Sequence, residues 1–428
     1  MSWITRRQML RSAAAAPAVA SAAQVERAIG VPLKITRIDP IIIRYPNDGK
    51  REDELVEMTP LGAMTGDIGL WNRLERAETV RQKGYQQTCL VRISTNQGVT
   101  GWGEGHAVMT PRVVKTVITD LFTPILLGQD ARNIELIWEK MYSTQRLRGY
   151  TSGFFTRAMA AIDIALYDIV GKAAGLPAYQ LLGGKFRDRI PTYQGVGGRS
   201  VSDMKENVSR LLEMGYTVQK MSLAKGGAHT RNFALVVAAS ETLKGKGQIL
   251  IDSLGAYTLA EATVIGRKID QLGNAGWWED VLMPEDIDGY GRLAETLDVP
   301  ICAGEQYSNR FDFRDLFARR AADIVNPDPS RIGITETKRI VILADVHNVL
   351  WSPHSSMGAA PYRAAALHLC VSTPNAVILE GGESYKGPFG NRLLKTPLDY
   401  QSGSAAAPDR PGLGVEFDEK ELAKVTVG

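Results

Sequence analysis

QILID (248–252), GWWED (276–280), VPICAGE (299–305), ADIVNPD (322–328), VLWSPH (349–354) and AVILE (376–380) decide the fold. Each is a short apolar run closing on a polar residue able to do chemistry. The gaps between Asp252, Glu279, Glu305, Asp328, His354 and Glu380 are 27, 26, 23, 26 and 26 residues. A strand, a loop, a helix and a return turn take about that length in a barrel of roughly 250 residues and eight units. The rhythm predicts that all six ends lie on one rim of a parallel sheet, where barrels carry their active groups.

Upstream, IPTYQGV (190–196) and TVQKMSL (217–223) bring the runs to eight. Amphipathic stretches such as SDMKENVSRLLEMG (202–215) and TLAEATVIGRKIDQLG (258–273) separate them. Alternating β and α units with apolar strands predict an α/β fold built on a parallel barrel. Residues 33–50 and 86–106 read instead as a small antiparallel sheet, with a hairpin at Asn96-Gln97-Gly98. Between them lies a connection, 46–85, whose length is more often functional or disordered than structural. Helical periodicity follows over 111–127, 133–142 and 154–175, where Gly175 and Pro177 stop it. After Glu380 the pattern is lost, and PDRPGLGVEF (408–417) is expected to return to the first domain. The expected divisions are a leader (1–23), a first α+β domain (33–184), a barrel (185–382) and a returning segment (383–428).

Composition narrows the function. The chain has 428 residues, 44% apolar and 23% charged, with 50 Lys and Arg against 47 Asp and Glu. Such a balance implies no basic face, so nucleic acid is not an expected partner. No apolar stretch is long enough to span a bilayer. Met1–Ala23 joins the pair Arg6-Arg7 to an Ala-rich stretch and a small-residue site near Ala20-Ser21-Ala22, the grammar of a twin-arginine leader and of periplasmic export. Cys89, Cys302 and Cys370 have neither metal nor redox spacing and read as buried thiols.

Asp252, Glu279 and Glu305 end three consecutive strands and should converge. Three such carboxylates repel unless a cation neutralises them, and hard oxygen ligands suit Mg²⁺. Asp328 and His354 end the next two strands, and a carboxylate beside an imidazole fixes its tautomer and raises its basicity, the makings of a general base. His347 and His368 fall within helical patterns, whereas His106 and His229 lie in loops that could face the site. In TVQKMSL, strand alternation puts Lys220 and Ser222 on one face and Met221 on the other. An inward lysine needs negative charge, from the metal carboxylates or a substrate anion.

AIDIALYDIVGKAAGLPAYQLLGG (161–184), the strand-end series and the tail PGLGVEFDEKEL (411–422) together resemble the mandelate racemase and muconate lactonizing group of the enolase superfamily. The resemblance spans about residues 33–423. It implies an α+β capping domain over a modified (β/α)₇β barrel, with Lys or His bases beside Mg²⁺ that stabilises an enediolate. By position it implies Mg²⁺ on Asp252, Glu279 and Glu305, an acid-base dyad of Asp328 and His354, and Glu380 hydrogen-bonding the enediolate oxygen as a protonated acid with a raised pKa. It also implies a homo-oligomer, a 46–85 loop that closes over substrate, and His106 and Arg148 as rim contacts. Two departures stand out. The group's usual Lys-x-Lys is Lys220-Met221-Ser222 here, and its Glu-Glu-Pro is Glu279-Asp280-Val281.

Reactions of the group begin by removing a proton α to a metal-bound carboxylate. Racemisation needs bases on both faces, and a serine is a very weak base unless activated. One base suffices for β-elimination, so the expected activity is Mg²⁺-dependent acid-sugar dehydration to a 2-keto-3-deoxy acid, with His354 as base and Lys220 neutralising the substrate carboxylate. An epimerase or cycloisomerase of the same superfamily is the alternative, and a non-catalytic sugar-acid binding protein is the reading from another class.

Overall fold

The structure, a computed structural model, describes residues 30–46, 57–60, 78–81, 85–107, 109–223, 229–355, 358–382, 390–401 and 403–427, with backbone alone at 46, 57–60, 78–81, 85 and 229–232. The leader expected at 1–23 lies outside the described residues. So does the 46–85 connection, apart from the ends of two strands and a short antiparallel ladder of β2 (Glu57–Pro60) and β3 (Glu78–Arg81), which follow β1 (Ile35–Pro46).

In the first domain β1 pairs antiparallel with β4 (Tyr85–Thr95), and β4 with β5 (Thr100–Gly105). A helical stretch (111–126), α1 (Ile134–Arg146) and α2 (Phe154–Ala174) cover one face of this sheet. α2 ends at Gly175, whose left-handed φ of 70° only glycine adopts cheaply. Ile93, Val91, Ile137, Met141, Ile162 and Leu166 fill the space between sheet and helices.

The barrel follows: β6 (Ile190–Gly195), α3 (Val201–Glu213), β7 (Val218–Ser222), α4 (His229–Leu243), β8 (Gln248–Asp252) and α5 (Leu259–Asp270). It continues with β9 (Ala275–Glu279), α6 (Ile287–Thr296), β10 (Ile301–Ala303) and α7 (Arg310–Ala318). β11 (Ile324–Val325), α8 (Pro329–Val346), β12 (Leu350–Trp351), α9 (Ala360–Val371) and β13 (Leu379–Glu380) complete it. β6 to β12 pair in order, all parallel, and β13 returns to β6. A parallel bridge from Trp351 to Ala376 closes the ring. The result is a (β/α)₇β barrel.

Strand alternation builds the site. Leu250, Trp277 and Ile378 point inward and pack with Tyr193, Cys302 and Ile324 into a plug that fills the barrel. Two residues further along each strand, Asp252, Glu279 and Glu380 keep the inward direction but stand at the rim. All three cysteines are buried and unpaired.

Beyond the barrel, β14 (Asp399–Gln401) and β15 (Ser404–Ala406) form a hairpin on β6. The chain then crosses back. Asp168 of α2 accepts the Leu413 N–H at 2.8 Å and the Trp102 N–H at 2.9 Å, and Phe417 packs edge-on against Trp102. After α10 (Glu419–Val425), β16 (Thr426–Val427) pairs antiparallel with β1.

Candidate active site

The Lys220 ammonium stands at the centre of the rim, 3.4 Å from Asp252, 3.1 Å from Glu279 and 3.2 Å from Glu380, over the Tyr193 ring. Burial alone would lower its pKa, but Glu279, Glu380 and Asp252 raise it well above the ordinary value, so it is a cation. Ser222 lies two residues on, exposed, in register with Asp252.

Glu279 is 1% exposed and accepts from Trp277 Nε1 at 2.9 Å and Asn326 Nδ2 at 3.0 Å, besides Lys220. Burial pushes its carboxyl up to about 7 despite Lys220, with Asp252, Glu380 and Glu305 adding to the rise. Asp280 is equally buried, at a left-handed φ of 45°. Its Oδ2 accepts from Gln306 Nε2 at 2.6 Å, while its Oδ1 has no partner among the described residues. Burial first, then Glu305, Glu279 and Asp252, hold its pKa well above the usual range.

Among the described residues, the one group of three acids whose oxygens lie within 4.8 Å of one another is Glu279, Asp280 and Glu305. The expected set of Asp252, Glu279 and Glu305 is therefore not the tightest one. Asp252 stands outside this group, 3.4 Å from Lys220, and the acid that joins Glu279 and Glu305 is Asp280 at its left-handed turn. An all-oxygen donor set with an orphaned, buried carboxylate oxygen fits a hard divalent cation such as Mg²⁺.

His354 Nδ1 donates to Asp328 Oδ2 at 2.8 Å, and Nε2 faces Glu305 at 3.0 Å and Glu380 at 3.9 Å. Asp328 is held from both sides. It caps the short turn that opens α8 ahead of the break at Gly333, its Oδ1 accepting from Ser330 N at 2.8 Å and Ser330 Oγ at 2.7 Å, and these donors favour its charge. Burial alone would raise its pKa, but His354, Arg331 and Ser330 hold it well below the carboxylate range. Glu305 is likewise buried, yet His354, Arg331 and Lys220 bring it down to about 2. Burial disfavours the imidazolium of His354, but Glu305, Glu380 and Asp328 overcome this and raise its pKa well above 6.5.

Glu380 corrects an expectation. A raised pKa and a protonated carboxyl were implied. Burial does push it up, but Lys220, His354 and the Ser355 N–H, which donates to it at 2.7 Å, bring it below the usual value. Glu380 is a carboxylate here because two cations from other strands face it.

His106, just past β5, is buried with its ring stacked on Tyr362 at 6.0 Å, and its Nδ1 has no hydrogen-bond partner among the described residues. Burial lowers its pKa to about 3, with Asp328 opposing and Arg157, Arg331 and His354 adding to the fall, so a neutral imidazole lies beside the dyad. Among the described residues, Arg148 makes no hydrogen bond or ion pair with the rim acids or the dyad. α1 ends at Arg146, and 147–149 turn on the surface, leaving Arg148 exposed and bonded to Gln145 at 3.5 Å. His229 opens α4 rather than lying in a loop; its side chain is outside the described atoms.

Sequence reasoning missed Asn326 and Trp277 as donors to Glu279, and it missed Glu104. That residue of β5 is fully buried, accepting from Thr88 Oγ1 and Ala359 N at 2.9 Å and Tyr362 N at 3.4 Å. Burial pushes its carboxyl up to about 7, against those hydrogen bonds and Arg363. The signal was present in TGWGEGH (100–106). Its glycines leave Trp102, Glu104 and His106 on the face turned to the barrel.

A barrel carrying rim acids and a carboxylate–imidazole pair under an α+β cap defines the enolase-type architecture. Residues 74–183 match the mandelate racemase/muconate lactonizing enzyme N-terminal domain, and residues 203–421 match the enolase C-terminal domain-like family. The chain belongs to the mandelate racemase/muconate lactonizing enzyme group of the enolase superfamily. A D-galactonate dehydratase from Verminephrobacter eiseniae is 33% identical over 350 residues, 77% of this chain and 88% of that protein. A D-galactarolactone cycloisomerase from Agrobacterium fabrum is 29% identical over 348 residues, 78% of this chain and 90% of that one. A racemase from Streptomyces coelicolor A3(2), solved with bound magnesium, has a TM-score of 0.75 and 25% identity, over 92% of this chain and all of that one. No described helix is long and apolar enough to cross a membrane.

Proposed function

We propose that this protein is an acid-sugar dehydratase that removes water from an aldonic or aldaric acid to give a 2-keto-3-deoxy acid. The observation that carries the reading is the asymmetry of the rim. One imidazole is locked to Asp328 at 2.8 Å, while Ser222 stands on the strand where a second base would be expected. One base suits elimination better than racemisation. The D-galactonate dehydratase relatives support the same class.

Asp252, Glu279 and Glu305, with Asp280 beside them, would hold Mg²⁺, which supplies positive charge that makes the α-proton of a substrate carboxylate more acidic. The charge of Glu305, which with Glu380 and Asp328 holds His354 protonated, would be offset by a metal bound there, and the neutral imidazole, oriented by Asp328, then takes the α-proton at Nε2. The bond from the β-carbon to its hydroxyl breaks, and the imidazolium returns the proton to the departing hydroxide as water. The enol left behind ketonises with a proton from solvent at the former β-carbon. Glu305 and Glu380 face the same nitrogen, so their charge sets how readily His354 gives up its proton. Lys220 supplies the positive charge that meets a carboxylate at the rim.

Incubating the purified protein and Mg²⁺ with a panel of aldonic and aldaric acids should yield a keto acid from at least one member. His354→Asn should lower turnover by at least about 10³-fold, as loss of a general base requires, and Ser222→Ala should change it less than about threefold. No keto acid from any member, with Mg²⁺ binding measured in the same sample, would reject the reading. The cycloisomerase relative favours a second reading, in which the same base opens or forms a lactone. Conversion of a sugar lactone without loss of water would select it.

A further inference from the structure

We infer that Glu104, from the capping domain, is a positioning residue for His354; this rests on His354 being the base. α9 starts without a cap of its own. Its N-cap residue is Ala359, which offers no side-chain acceptor, and a helix leaves its first N–H groups unpaired. Glu104 reaches across from β5 to fill that role. Both its oxygens accept the Ala359 N–H at 2.9 Å, and Oε2 also accepts the Tyr362 N–H at 3.4 Å. Thr88 Oγ1, on the neighbouring strand β4, donates to Oε1 at 2.9 Å and fixes the carboxylate in turn.

What this cap holds is the backbone of His354. The Tyr362 hydroxyl donates to the His354 carbonyl at 2.8 Å. His106, two residues beyond Glu104, stacks on the other end of the linkage, the Tyr362 ring. A Cβ at Gly358 would come within 2.1 Å of Tyr362 Cδ1 and 3.3 Å of Glu104 Oε1, so the approach admits glycine alone. Asp328 therefore fixes the imidazole from the barrel, and Glu104, through Tyr362, fixes the carbonyl of the same residue from the cap. Small displacements of a base carry large rate penalties, which gives the linkage a catalytic consequence.

The test compares the parent with Glu104→Gln, Glu104→Ala and Tyr362→Phe, in steady-state kinetics and in ¹⁵N spectra of histidine-labelled protein. Glutamine keeps the shape but turns an NH₂ toward N–H donors, and phenylalanine deletes one hydroxyl. We expect Glu104→Gln and Tyr362→Phe each to lower kcat about 10- to 100-fold with KM within about threefold. The His354 ring-nitrogen shifts and their pH titration should move in both variants. Glu104→Gln with Tyr362→Phe should cost no more than the worse single change, because both cut one linkage. Lower thermal midpoints with kcat per folded molecule and His354 signals unchanged would reduce Glu104 to a structural cap and overturn the inference. Should Glu104→Ala fail to fold, the two near-isosteric variants decide alone. An active His354→Asn variant would instead overturn the base assignment, while the His354 spectra would still report whether Glu104 positions the ring.

Discussion

Lys220 lies within 3.4 Å of Asp252, Glu279 and Glu380, so one cation serves three acids from three other strands. The side chain that balances the rim also competes with a metal for Asp252. Asp280 sits on the far side of this arrangement, with one oxygen tied to Gln306. Asp252→Asn should therefore weaken Mn²⁺ binding, read by electron paramagnetic resonance, by at least about 100-fold, and Asp280→Asn by about tenfold, the scale of a supporting ligand. The reverse order would make Asp280 the third ligand and Asp252 the partner of Lys220. At this scale the sequence was legible in residue type and strand position, because each acid ends an apolar run. It was silent on charge state. Whether Glu380 is ionised depends on Lys220, His354 and the Ser355 N–H, which only the closed barrel brings to it.

β5 shows how an element can carry two codes at once. Cβ atoms at Gly101, Gly103 and Gly105 would stand 2.4, 1.8 and 2.4 Å from the carbonyl oxygens of Ala165, Ala161 and Arg157. These are three successive turns of α2, so the strand lies against helix backbone where no side chain fits. Gly103→Ala should cost about 3 kcal/mol of stability, the upper range of overpacking, and should lower turnover as β5 shifts under Glu104. An unchanged urea midpoint would mean that the strand and helix part more easily than these distances imply. The hairpin itself was readable from turn residues and alternation. The role of Glu104 was not, since its partner Ala359 lies 255 positions away and no local pattern connects them. The barrel strands were legible for the opposite reason, because each unit repeats the same short-range instruction.

Across the whole molecule, α9 is the helix where barrel, domain junction and tail meet. His368 Nδ1 accepts the Tyr179 N–H at 3.2 Å, and Nε2 faces the Leu413 carbonyl at 3.2 Å. Burial lowers its pKa to about 4 against the usual 6.5, with the Leu413 contact opposing. A depressed histidine pKa means that the fold favours the neutral ring. Its contribution is complete above about pH 6.5 and is lost as pH falls through about 4, a change on the order of 3 kcal/mol. Thermal midpoints measured over that window should fall less steeply in His368→Gln than in the parent, and equal slopes would place the acid sensitivity elsewhere. The tail that His368 touches runs on to β16, whose Thr426 and Val427 pair with Ile43 and Ile42 of β1. The earliest described strand thus receives a neighbour from the last described residues. On the ribosome, the cap's sheet gains this edge only after the entire barrel has been synthesised, so the cap is completed later than the domain it covers.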